Sequence, residues 1–279
     1  MNGRPTLPPP PTFAAAAVRV FNLSLGEMLW SRRTVFLLLV TGAPVFLAFV
    51  ARLVQGSGVV PLRVNGAAVD GGSIFGMMIW VFFLRFIVPV LGVFYGTSLI
   101  ADEVEDRTIT YLFTRPLRRG AVLAGKYLAY VVCTTLVVLP SVVLVYFLLV
   151  PLGQVGRTFV AFAADLGLLA LGLAAYGALF ALVGAALKRP LVSGLVFVFG
   201  WEQIALLVPG YVKRFTVAHY VQALVPHAMP SDGVAAVLQS VLRDNPPALV
   251  CVLVLLAVVA VSLWLGVKAV ESREYVLDQ

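Results

Sequence analysis

Four acids in five positions, Asp102, Glu103, Glu105 and Asp106, are followed by the basic residues Arg107, Arg115, Arg118 and Arg119. Eight of the chain's 33 charged residues fall within these 18 positions. Between the two blocks, Thr108-Ile109-Thr110-Tyr111-Leu112-Phe113 sets Ile109, Leu112 and Phe113 at i, i+3 and i+4, which makes one apolar face on a short helix. Basic residues at a membrane boundary need no explanation beyond orientation, but acids contribute little to orientation. A dense acidic cluster beside an apolar helical face therefore points to contact with a partner or to pairing within the segment.

Catalytic chemistry is harder to find. Gly120-Ala121-Val122-Leu123-Ala124-Gly125-Lys126-Tyr127 matches the spacing of a phosphate-binding loop until its last position, where Tyr127 replaces the hydroxyl residue that would hold magnesium. No strand precedes it and the segment enters an apolar helix, so no nucleotide site is expected. His219 and His227 lack further ligands at metal spacing. Cys133 and Cys251 fall inside apolar runs and read as packing residues. No His-Glu-x-x-His, paired catalytic carboxylates or serine-histidine set appears within the apolar stretches, so no catalytic residue, cofactor or metal ligand is expected.

Three ionisable residues, Arg85, Asp165 and Glu202, lie within those apolar stretches, where each would be costly if it faced lipid. They must face protein or water. Arg85 and Glu202 both fall about 18 to 24 Å along their helices from the same end, so they are expected to face each other. A substrate path lined by them is the functional alternative, and Asp165 is placed near the outer interface.

The elements that carry these residues follow from composition. Of 279 residues 61% are hydrophobic and only 12% charged, with a mean hydropathy of +1.00, whereas soluble domains carry roughly 25% charged residues. Lipid is the solvent. Six apolar stretches, at about 34–51, 74–101, 121–150, 159–187, 191–208 and 248–267, predict an all-α integral membrane protein of about six transmembrane helices. Before them, residues 1–17 read as a disordered Pro-rich tail, not a signal peptide, and Val18 to Leu29 as an interfacial helix with Val18, Phe21, Leu25, Met28 and Leu29 on its apolar face.

The net charge of +7 does not point to nucleic acid, because the twenty basic residues are scattered between apolar stretches. With both termini cytoplasmic, thirteen of them lie inside, six outside, and Arg85 within a span. The positive-inside rule favours that orientation, in a plasma (inner) membrane. Gly92 and Gly96, and Ala170, Ala174 and Ala178, are small residues at helical spacing, suited to close helix packing. The segment from Gly210 to Pro247 is expected to form helices at the outer surface that cap a path, dip into the membrane or shield helix ends.

The stretch from Asp102 to Lys126 resembles the type-2 ABC transporter permeases. Their second and third spans are joined by an acidic stretch, a short coupling helix, and an Arg-Pro-like element leading to a Gly-Lys pair. Here these elements are Asp102 to Asp106, Thr108 to Phe113, Thr114-Arg115-Pro116 through Arg119, and Gly125-Lys126. Six spans, a surface helix before the first and a long outward loop before the last extend the likeness over nearly the whole chain. It departs at Arg107, where such permeases often carry a small residue, and near Tyr111, where they carry an acid.

The resemblance implies an exporter permease that pairs with a second copy or a homologous permease. It further implies docking on a cytoplasmic ABC ATPase, which would bind ATP and Mg. The ATPase contact would comprise Asp102, Glu103, Glu105, Asp106, Thr108, Ile109, Leu112, Phe113 and Arg115. A secondary transporter driven by an ion gradient is the alternative, because such carriers place charges like Arg85 and Glu202 near the midplane. A membrane-embedded enzyme is a further one.

Overall fold

A bilayer core about 30 Å thick is crossed by about 20 helical residues. In the computed structural model five helices meet that requirement, Arg33–Val54, Gly71–Ala101, Gly120–Leu149, Val155–Ala186 and Ala248–Ser272, with 22, 31, 30, 32 and 25 residues, and a shorter apolar helix spans Pro190–Ala205. The structure describes residues 12–56, 63–64, 67–68, 71–105, 119–208, 211–225 and 246–272. In chain order the helices are α1 (Phe13–Leu29), α2 (Arg32–Gly56), α3 (71–105), α4 (Arg119–Leu149), α5 (Val155–Ala186), α6 (190–207), α7 (Val217–Ala223) and α8 (Ala248–Ser272). A two-residue antiparallel pairing of Arg63–Val64 with Ala67–Ala68 is the departure from all-α structure among the described residues.

Helices dominate because lipid offers no partner for a backbone N–H or C=O, so each segment must satisfy its own. The helices outrun the apolar stretches that predict them: α3 begins at Gly71 and α8 continues to Ser272. Two are irregular. α3 contains π-helical stretches at Ile79–Ile87 and Gly92–Gly96, and α6 contains one at Phe197–Trp201.

Small residues set the helix spacing. A Cβ added to Gly184 of α5 would lie 2.4 Å from the Thr97 carbonyl oxygen of α3, and one on Gly96 would lie 3.0 Å from the Gly177 carbonyl oxygen. α3 and α5 thus meet backbone to backbone, the arrangement that favours association where lipid removes the hydrophobic drive. The Gly92 and Gly96 pair sits on this seam, and Ala178 is fully buried while Ala170 and Ala174 are half-buried. Tyr95, Tyr130, Tyr146 and Tyr176 fill the remaining volume of the core.

The N-terminal helix differs from its expected form. It begins at Phe13, capped by the Thr12 hydroxyl, so residues 13–17 belong to a helix and not to the Pro-rich tail. The run Phe13-Ala14-Ala15-Ala16-Ala17 explains this, since alanine is the best helix former. The buried face is Ala16, Ala17 and Ser24, whereas Val18 is exposed. A large apolar side chain gains little by leaving lipid for protein, while small ones let α1 approach α4, where a Cβ on Gly125 would come 2.5 Å from the Ala17 carbonyl oxygen.

One end of the bundle gathers several chain segments. A Cβ on Gly120, at the start of α4, would meet Val267 of α8 at 2.7 Å. Arg33 of α2, Ala101 of α3 and residues 188–192 line one cavity. The start of α2, the end of α3, the start of α4, the 187–190 turn and the end of α8 therefore share one end of the bundle.

Candidate functional site

A polar centre occupies the middle of the bundle. Tyr176 of α5 lies about 15 Å from the end of its helix at Ala186, and Glu202 of α6 about 18 Å from Pro190, at 1.5 Å per residue. Both are buried, and the Tyr176 hydroxyl donates to Glu202 Oε2 at 2.7 Å. The second carboxylate oxygen, Oε1, accepts from the Ala218 backbone N–H at 3.3 Å. Glu202 is thus held by neutral donors.

The Ala218 contact defines how the chain runs after α6. Beyond Leu207 it turns, passes through a short 3-10 helix at Tyr211–Phe215, and enters α7 at Thr216, whose hydroxyl accepts from the His219 N–H at 3.3 Å. Ala218 then returns to the depth of Glu202, part-way down α6. Of the outer helices expected between Gly210 and Pro247, α7 therefore dips into the bundle. Residues 226–245 lie outside the described residues. Lys213, Thr216 and His219 are all buried on this returning segment.

Arg85 does not pair with Glu202. Its Nη2 donates to Gln203 Oε1 at 2.5 Å, and its guanidinium carbon lies 5.5 Å from the centre of the Trp80 ring. The pairing expected with Glu202 falls instead to the next residue in the chain. Successive residues on a helix point about 100° apart, so with Glu202 turned toward α5 and α7, Gln203 is the residue facing α3. Gln203 Nε2 in turn donates to the Val198 carbonyl at 3.4 Å. Arg85 lies within a π-helical stretch, and Glu202 and Gln203 follow another, a backbone irregularity frequent at functional sites.

Asp165 is fully buried on α5, about 15 Å from the opposite end of that helix, and is not part of the Tyr176–Glu202 centre. Beside it in sequence, Phe162 stacks on Tyr146 with ring centres 4.1 Å apart.

The segment singled out by its charge is only partly described. The backbone of α3 continues as helix through Asp102, Glu103 and Glu105. Asp106, Thr108, Ile109, Leu112, Phe113 and Arg115 lie outside the described residues. The apparent phosphate-loop match resolves into packing: Gly120 and Gly125 sit on α4, one against α8 and the other against α1, leaving neither free to cradle a phosphate.

The family model for ABC-2 family transporter proteins matches residues 16–274. The chain belongs to the ABC-2 transporter family. No match was found among curated proteins. Membership covers every helix from α2 to the end of α8 and most of α1, so this ABC-2 chain is a multi-pass membrane protein of a transport family.

The residues missed by pattern reading are Tyr176, Gln203 and the Ala218 N–H. A tyrosine in the small-residue run Ala174-Ala175-Tyr176-Gly177-Ala178 was an available signal, because a buried phenol needs a partner.

Proposed function

We propose that this chain is the permease subunit of an ATP-driven exporter, coupling hydrolysis by a separate ABC ATPase to movement of substrate through the membrane. The observation that carries this reading is the family match across residues 16–274. The ATPase, with its ATP and Mg, docks on residues 102–115 at the cytoplasmic face, and both termini lie on that face of the inner membrane. Two permease copies, or this chain and a homologue, complete the transporter.

In this reading α6 and α7 form the moving part. Glu202 ties α6 to α5 through Tyr176 and to the returning α7 through Ala218, so a displacement transmitted along α3 to the Arg85–Gln203 bond reaches both. Ion-gradient transport is the second reading, favoured by the buried carboxylate of Glu202 held only by neutral donors.

The test is purification of the tagged chain from its native host in mild detergent. An ABC ATPase should copurify and show Mg-dependent ATP hydrolysis. Leu112→Asp with Phe113→Asp should abolish copurification while the permease still inserts. Absence of any ATPase in the wild-type preparation, together with uptake driven by a pH gradient in proteoliposomes, favours the second reading and overturns the first.

A further inference from the structure

We propose that the cavity between the start of α2, the end of α3 and the start of α6 is a seat for an anionic phospholipid. Its volume is about 540 Å³, within the range of roughly 300–1,000 Å³ typical of small-ligand sites. Three cations line it: Arg33 from the start of α2, and Lys188 and Arg189 from the turn between α5 and α6. All three are exposed. They hold the phosphate.

The rest of the lining suits the remainder of a lipid. Ser98, half-buried at the cavity wall, donates its hydroxyl to the Tyr95 carbonyl of its own helix at 2.9 Å, while Thr97 beside it is buried. The Ser98 oxygen keeps lone pairs for a headgroup hydroxyl. On the lipid side, Phe36 packs on Phe94 with ring centres 5.1 Å apart, and Leu191 and Val192 are exposed. The lining thus combines cations with an apolar surface, as an amphiphile with a charged head requires.

Orientation of the chain accounts for cations at this end, but it does not require them to converge. The positive-inside rule is satisfied by arginine and lysine anywhere on the rim. Here two segments distant in sequence bring their charges to the lining of one cavity. Basic pockets between transmembrane helices are recognised sites for anionic headgroups. The proposal uses the cytoplasmic orientation argued above only to name the leaflet, which is the one rich in anionic lipid.

The test reads bound lipid and involves neither ATPase nor transport, so its failure is separate from failure of the exporter reading. Purified wild-type chain is exchanged into mixed micelles holding equal phosphatidylglycerol and phosphatidylcholine, and retained lipid is measured by native mass spectrometry. The expected result is a preference of about tenfold for phosphatidylglycerol, unaffected by excess inorganic phosphate. Arg33→Gln with Lys188→Gln and Arg189→Gln should bring the ratio to about one, while Arg157→Gln, on an exposed residue at the opposite end, should leave it at the wild-type value. Lys188→Gln alone, in an exposed turn, should lower the ratio and serves if the triple variant does not insert. Equal retention of both lipids by the wild type overturns the proposal, as does a Lys188→Gln ratio equal to the wild type's. Displacement by phosphate overturns it in favour of a soluble anion.

Discussion

Replacing Tyr176 by phenylalanine removes one oxygen from the centre of the bundle and leaves its packing in place. The ring lies 6.2 Å from that of Phe180, and its Cβ faces Gly92 at 2.7 Å from where a glycine Cβ would stand, contacts that do not involve the hydroxyl. What is lost is the 2.7 Å bond to Glu202 Oε2. Side-chain hydrogen bonds in membranes average about 0.6 kcal/mol and reach about 1.7, while bonds to charged groups run to about 1.5–3 kcal/mol. A short bond to a buried carboxylate belongs near the top of the first range, so Tyr176→Phe should cost about 1.5 kcal/mol. Glu202→Leu should cost more, about 2–4 kcal/mol, because it strands two donors, the Tyr176 hydroxyl and the Ala218 N–H. Combining the two relieves one of those penalties, and the coupling should be about 1 kcal/mol or more. Equilibrium unfolding in mixed SDS micelles measures all three variants. A Tyr176→Phe cost below about 0.3 kcal/mol together with an additive double variant would refute the idea that this bond fixes α6 on α5.

Gly184→Ala should sharply reduce folded yield, because its Cβ would stand 2.4 Å from the Thr97 carbonyl oxygen, while Gly26→Ala, with nothing within 4 Å, should be neutral or stabilising by about 0.5–1 kcal/mol; fluorescence-detected size exclusion on heating compares them. Thr216→Ala removes the cap of α7 and should cost about 1 kcal/mol, read by the same unfolding assay and by faster proteolysis of the 211–223 segment. A cysteine at Arg118 should react with an impermeant maleimide only after inside-out vesicles are made, against low background since Cys133 and Cys251 are buried; labelling in intact cells overturns the cytoplasmic assignment.

Fold class was legible because hydropathy alone decides the solvent, and the solvent decides that the backbone must be helical. Element boundaries were less legible. Polar residues such as Gly71 and Ser272 continue a helix past its apolar core because the hydrogen-bond ladder does not depend on side-chain polarity. Interior and exterior were also hard to separate along α1, where large apolar residues such as Val18 and Leu23 are exposed and the packed face is told by the small side chains Ala16, Ala17 and Ser24, not by hydrophobicity.

The partners of Arg85 and Glu202 mark where one-dimensional reasoning stops. Depth along a helix can be counted from residue number, and it placed the two at a common level. Azimuth cannot be counted across a π-helical stretch, because each such turn shifts the register of everything that follows. α3 carries two such stretches and α6 carries one directly before Glu202. The pattern that assigns faces at 3.6 residues per turn therefore fails at the positions where polar side chains are concentrated. The outcome is two adjacent polar contacts and no ion pair between Arg85 and Glu202: Arg85 with Gln203, and Glu202 with Tyr176 and Ala218. Each joins a different pair of elements, α3 to α6 and α6 to α5 and α7. In the transport cycle proposed above, that division would let α6 be pulled from one side while it carries α7 on the other, which a single Arg85–Glu202 ion pair would not do.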